Sequence, residues 1–197
     1  MAPQKYKLSF TAASLSIMDS VHIAEIYLKN RDWTLTKQVV KGGNVLQSRT
    51  NSRTIRVVRE LIQRLELLTD NQLELLTGGS PAEQKYLLWF AACRTYTLIK
   101  EFAVEVLHEK YLSRSLTLTD LDYDAFFNRK ADWNEELNQI TTSTRKKIRQ
   151  VLLLMAKEAE LLSDDNQILR AMLSNRLVEV LRPEAPTSFQ VFPIEPL

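Results

Sequence analysis

A single cysteine, two histidines and four glycines in 197 residues each close off a class of protein. Cys93 alone cannot form an internal disulfide and lies in an apolar segment, so it reads as a structural thiol. His22 and His108 are too few for the usual zinc sites, paired CxxC motifs are missing, and no metal or other cofactor is expected. Glu105 and His108 do make a Glu-x-x-His pair, but carboxylate metal sites use that pair twice, and one copy reads as a surface histidine beside a glutamate. Glycine-rich phosphate loops and nucleophile elbows are missing too, so no catalytic residue is assigned and no enzyme is expected. The longest purely apolar run, Leu87 to Cys93, falls far below the roughly 18 residues of a membrane span. The N-terminus scatters serines and threonines through what would be the apolar part of a signal peptide. A cytoplasmic protein with no membrane contact is expected.

What is abundant is Leu, Glu, Lys, Arg and Gln, the good helix formers, and 45% of the residues are hydrophobic. An all-α globule follows. The net charge of +2 conceals an uneven distribution. Arg49 to Arg64 carries five arginines against Glu60, and Ser143 to Gln150 carries four cations and no acid. Each stretch holds +4, so the remainder of the chain sums to −6. Such a field suits a polyanion bound at a defined place.

The stretch from Thr142 to Leu162 concentrates the signals. Ser143 or Thr144 can cap a helix, and Ile148, Val151, Leu152, Met155, Ala159 and Leu162 form one apolar stripe at helical spacing. Arg145, Lys146, Lys147 and Arg149 crowd the first turns, where cations oppose the helix dipole. An anion outside the protein is the economical reason, as when a recognition helix points its N-terminal residues into DNA; a solvated basic face is the plain alternative.

Upstream, helices are expected from Asp19 or Ser20 to Asn30, over Thr34 to Lys41, as one turn at Asn44 to Gln47, and from Asn51 or Ser52 to about Leu68. The last would bury Ile55, Val58, Leu61, Ile62, Leu65 and Leu68 and turn Arg53, Arg56 and Arg59 away. Asn71 to Leu76 reads as a short helix ended by Gly78 and Gly79. Ser80 and Pro81 open an apolar helix, Thr97 to Leu112 a second, and Thr119 or Asp120 a third through Phe127. Glu135 to Ile140 reads as a short helix and Leu169 to Leu181 as one or two more. The tail from Pro183, with four of the six prolines, reads as irregular and packed along the surface through Phe189 and Phe192.

Two segments look alike. NRDWTLTKQVV leads to SRTIRVVRELI, and RKADWNEELNQI leads to RKKIRQVLLLM. Ile55, Arg56, Val58, Leu61 and Ile62 match Ile148, Arg149, Val151, Leu154 and Met155, with Asp32-Trp33 matching Asp132-Trp133. Both copies order an aromatic helix, an Asp-Trp corner, a short helix and a basic capped helix. The expected architecture is therefore an all-α compact helical globule with two helix-turn-helix-like units on a central helical core. Residues 1–182 would form the single domain, with the units at about 19–68 and 119–162, and residues 183–197 the tail.

KYKLSFTAASL, RLELLTDNQLELLTGGSP, LLWFAACRTYTLIKEFAVEVLHEKYL, DAFFNRKADW and STRKKIRQVL together resemble the BrxA proteins of BREX, the bacteriophage exclusion systems of bacteria. The resemblance covers roughly residues 5 to 182. It implies a small all-helical cytoplasmic component of a phage-defence system, with double-stranded DNA as the ligand engaged through paired helix-turn-helix motifs. The methylation and ATPase chemistry of such systems would belong to other subunits, which are implied partners.

On the residues, the DNA-facing candidates are Arg49, Asn51, Ser52, Arg53 and Arg56 in the first unit and Ser143, Thr144, Arg145, Lys146, Lys147 and Arg149 in the second. Arg129 and Lys130 would add backbone contacts. The competing reading is a protein–protein adaptor whose basic faces dock acidic subunits. Two units on one chain can replace a two-fold dimer, so a monomer is expected.

Overall fold

A computed structural model of the chain describes residues 6–42 and 52–195. The turn expected at Asn44 to Gln47 lies outside them. Among the described residues the chain is helical, without a strand; its β pairing is limited to the isolated bridges Thr117–Gln167 and Leu162–Ile168. The all-α expectation holds.

A 3-10 turn at Ser9–Ala12 precedes α1 (Ile17–Asn30), α2 (Trp33–Gly42) and α3 (Ser52–Leu65). The Asp32 carboxylate accepts from the amides of Thr34 and Leu35 at 2.6 and 3.2 Å, which starts α2. α4 (Asp70–Gly78) and α5 (Pro81–Thr95) each begin with a capping box, Thr69 with Gln72 and Ser80 with Glu83, and Pro81 takes the first turn of α5. α6 (Thr97–Phe102) runs through a π-helical segment, Ala103–His108, into α7 (Glu109–Leu112). α8 (Asp120–Ala131) is boxed by Thr119 and Asp122, and Asn134 caps the single turn α9 (Glu135–Asn138). α10 (Thr142–Glu158) is capped by Thr141, whose hydroxyl accepts from the Thr144 amide at 3.2 Å, so Ser143 and Thr144 sit inside the first turn.

The core is built around α5, where every residue from Tyr86 to Cys93 is buried, so an amphipathic stripe gives way to an apolar rod. α1, α3, α4, α6 and α10 all pack against it. The stripe of α10 is buried as its spacing requires, with Ile148, Val151, Leu152 and Met155 each at most 5% exposed; the helix stops at Glu158, short of the expected Leu162, and Ala159 and Leu162 are buried beyond its end. In α3, Ile55 departs from its expected face and is 51% exposed, while Val58, Leu61, Ile62, Leu65 and Leu68 are buried.

The C-terminal end differs most from expectation. Only α11 (Asn175–Leu181) forms in the stretch read as one or two helices. Before it the backbone is irregular: the amide of Ala171 donates to the Pro193 carbonyl at 3.1 Å and that of Met172 to the Tyr86 hydroxyl at 3.2 Å. The tail enters the interior: Val191, Phe192 and Ile194 are buried, Trp89 Nε1 donates to the Val191 carbonyl at 2.8 Å, and Phe192 meets Tyr86 edge-on. A proline-rich segment without periodicity can still fill a core gap, because burial of single aromatics needs no repeating pattern.

Candidate nucleic-acid interface

α1, α2 and α3 contact one another in sequence order, tied by Tyr27 stacked on Trp33 at 4.1 Å and by Lys37 paired with Glu66. On α3, Arg56 and Arg59 are exposed and hold no ion pair among the described residues. Ser52 opens the helix and is exposed. Arg49 and Asn51, and the side chain of Arg53, lie outside the described residues. Arg64, counted with the basic stretch, points the other way. It is 2% exposed, reaching the carbonyls of Ala13 and Ser14 and the Tyr96 hydroxyl, which in turn donates to buried Glu60 at 2.6 Å.

α8 and α10 are joined by a two-rung ladder. Arg145 Nη2 donates to Asp124 Oδ1 at 2.9 Å while its guanidinium lies 4.6 Å from the Phe127 ring centre. One turn on, Arg149 Nη2 pairs with Asp120 Oδ1 and lies 5.5 Å from the Tyr123 ring centre. Because 145 meets 124 and 149 meets 120, the helices run antiparallel. The start of α10 therefore sits toward the C-terminal end of α8. The acids supply an internal counter-charge for two of the four cations whose placement opposed the helix dipole.

Ser143, Thr144, Lys146 and Lys147 remain exposed on that start, and Lys147 reaches Gln150 at 3.3 Å. Arg129 is 55% exposed and pairs with Glu105 at 3.1 Å. Lys130 is 16% exposed, held between Glu105 and Glu101 at 2.5 and 3.3 Å, and lies over Phe126. Its donors face inward, unlike those of a phosphate contact. Tyr6 also donates to Glu101, at 2.7 Å.

The two Asp-Trp corners are not equivalent. Asp32 caps α2 and Trp33 packs on Tyr27, whereas Asp132 follows α8 and Trp133 is 86% exposed. The matched apolar pairs split as well: Ile55 and Leu154 are exposed, while their counterparts Ile148 and Leu61 are fully buried. Equal spacing does not orient a helix; the neighbours do.

His108 is buried, with Nδ1 bonded to the Phe192 carbonyl at 2.7 Å, so the surface-histidine reading is corrected: the C-terminal tail covers it. Glu105 turns instead to Arg129 and Lys130. No group of three potential metal ligands occurs among the described residues, and none of their helices is long and apolar enough to cross a membrane. Burial pushes the Cys93 thiol well above its usual range, which leaves it unreactive. The sequence marks Asp120 only as a candidate helix cap and gives Asp124 no role, although their i, i+4 spacing mirrors that of Arg145 and Arg149.

The BrxA family model matches residues 4–184. The chain belongs to the BrxA family. It is 25% identical over 182 residues to the BREX protein BrxA of Bacillus cereus strain H3081.97, covering 91% of each chain. A crystal structure of an uncharacterized protein from Magnetospirillum magneticum shares the fold, with a TM-score of 0.81 at 18% identity over 96% of this chain and 99% of that one. This BrxA protein is thus a component of a BREX phage-defence system.

Proposed function

We propose that this BrxA is a non-catalytic, cytoplasmic double-stranded DNA-binding component of its BREX system, acting as a monomer through two basic helix-turn-helix-like units. The observation that carries the reading is the start of α10, where Ser143, Thr144, Lys146 and Lys147 are exposed together at the positive end of a 17-residue helix. Arg56 and Arg59, exposed on α3, form the second face. Lysines and hydroxyls mostly hold phosphates, so the binding is chiefly to the backbone, with the arginines available for guanine edges.

The adaptor reading has its own support in Trp133, whose ring stands 86% exposed beside Arg129. An exposed tryptophan next to an arginine suits a protein interface, and other BREX subunits are the partners this reading implies.

The test is binding to a random duplex of about 30 base pairs across a salt series, for the wild type, Arg56→Glu/Arg59→Glu and Lys146→Glu/Lys147→Glu. Each double variant should weaken binding and flatten the salt slope by about two units, roughly one for each lost phosphate contact. Unchanged binding by both variants would remove the DNA reading, and retention on other BREX subunits without nucleic acid would favour the adaptor.

A further inference from the structure

Resting on the DNA reading, the ladder between α8 and α10 carries a consequence for how that face is controlled. The two acids are more exposed than the arginines they hold. Asp120 is 76% exposed against 27% for Arg149, and Asp124 is 47% exposed against 30% for Arg145. Each guanidinium has an aromatic ring near it, Tyr123 or Phe127, and a carboxylate on one terminal nitrogen. Of five donors per guanidinium, the ladder uses a single nitrogen, so the contact is monodentate and lacks the fork geometry of the strongest arginine pairs. Solvent-exposed ion pairs of this kind contribute little and are readily exchanged.

A phosphate approaching the start of α10 meets Lys146 and Lys147 directly but meets Asp120 and Asp124 before the arginines. We propose that Asp120 and Asp124 form an acidic latch. They occupy Arg149 and Arg145 in the free protein as stand-ins for phosphate, and DNA that reaches the face displaces them and recruits both arginines. The aromatic rings hold the guanidinium planes near the surface when the carboxylates leave, because a cation over a ring keeps its attraction without the acid. The latch restrains binding to stray polyanions: an anion must both bind the lysines and compete off two local carboxylates. Binding then strengthens steeply only where several phosphates are presented together.

The experiment follows the side-chain Nε–Hε resonances of Arg145 and Arg149 in the full-length protein while a random duplex of about 30 base pairs is added, and measures affinity for the wild type and for Asp120→Asn/Asp124→Asn. The latch predicts that both guanidinium signals move on DNA addition. It also predicts that the variant binds about tenfold more tightly at low salt, with a salt slope close to that of the wild type, because both proteins end with the same two arginines on phosphate. If DNA moves the backbone signals of Ser143 to Lys147 but leaves both guanidinium signals in place, the ladder only docks α10 on α8. The latch then falls while the DNA reading stands. If the variant binds no more tightly than the wild type, the latch falls in the same way. If neither protein binds DNA at low salt, the DNA reading itself fails and the latch with it.

Discussion

Arg64 and Glu158, on different helices, grip the same short piece of backbone. Arg64 donates to the carbonyls of Ala13 and Ser14 at 2.7 and 2.5 Å, and Glu158 accepts from the amide of Leu15 at 2.7 Å. The segment after the first 3-10 turn is thus clamped between the C-terminal ends of α3 and α10, the two helices whose starts are basic.

The Arg64 side of that clamp is a closed network, since Glu60 accepts from Ser9 at 2.9 Å and from Tyr96. Burial pushes the Tyr96 hydroxyl up to about 12, against the pull of Arg64, so it stays a donor throughout the accessible pH range. Truncating Arg64 to Ala leaves the carbonyls of Ala13 and Ser14 without their donor and the buried Glu60 carboxylate without the cation it meets through Tyr96, and should cost about 3–5 kcal/mol. Replacing the pair together, as Glu60→Gln/Arg64→Met, should cost less than Arg64→Ala alone. Urea denaturation of the two variants checks this; equal losses would mean that Glu60 is not the group left stranded.

Phe192 is fully buried against Tyr86, and the backbone beside it is held by Trp89 and His108. Phe192→Ala should destabilise the protein by about 3–5 kcal/mol, a core-sized loss. A tail lying on the surface would give less than about 0.5 kcal/mol, so thermal unfolding separates the two cleanly.

Adjacent glycines at the end of α4 should respond with opposite signs. A methyl group at Gly78 meets nothing within 4 Å, whereas one at Gly79 would lie 2.4 Å from the Leu75 carbonyl oxygen. Gly78→Ala is expected to stabilise by about 0.4–1 kcal/mol through the unfolded chain. Gly79→Ala must displace backbone and should destabilise by about 1–3 kcal/mol. Melting temperatures that shift in the same direction would contradict this geometry.

The hydroxyl of Ser174 donates to Glu83 at 2.6 Å and, with the Ser80 capping bonds, holds its carboxyl below the usual value of 4.5 despite burial. A carboxylate depressed in the folded state stabilises the fold fully above its unfolded value, and that contribution is lost as pH falls through the lower folded value. Glu83→Gln should therefore cost about 1–2 kcal/mol at pH 7, with the gap to wild type narrowing steadily below pH 4.5. Chemical denaturation from pH 7 down to pH 3 measures it, and a gap independent of pH would assign the loss to shape alone.

Helix starts were highly legible in the residues. Ser80 with Pro81, and Thr119 as one of two adjacent cap candidates, are local chemistry, written within four positions, and the structure uses Ser80, Pro81 and Thr119 at those starts. The stripe of α10 was equally plain because Ile148, Val151, Leu152 and Met155 at one spacing leave a single face to bury. The candidate site was harder to read. Arg53, Arg56, Arg59 and Arg64 look alike along α3, yet Arg64 turns inward because Ser14, Ala13 and Glu60 wait there from distant parts of the chain. The two similar segments bury different residues for the same reason, as Ile55 and Ile148 meet different neighbours.

Local sequence thus settles that this BrxA chain is helical, where most of its helices begin, and that positive charge gathers at two helix starts, since caps, propensities and stripes act within a few residues. Tertiary structure decides which of those charges reach solvent. Arg145 and Arg149 meet Asp124 and Asp120, while Lys146 and Lys147 do not, because only the docking of α10 antiparallel on α8 brings those partners within bonding distance.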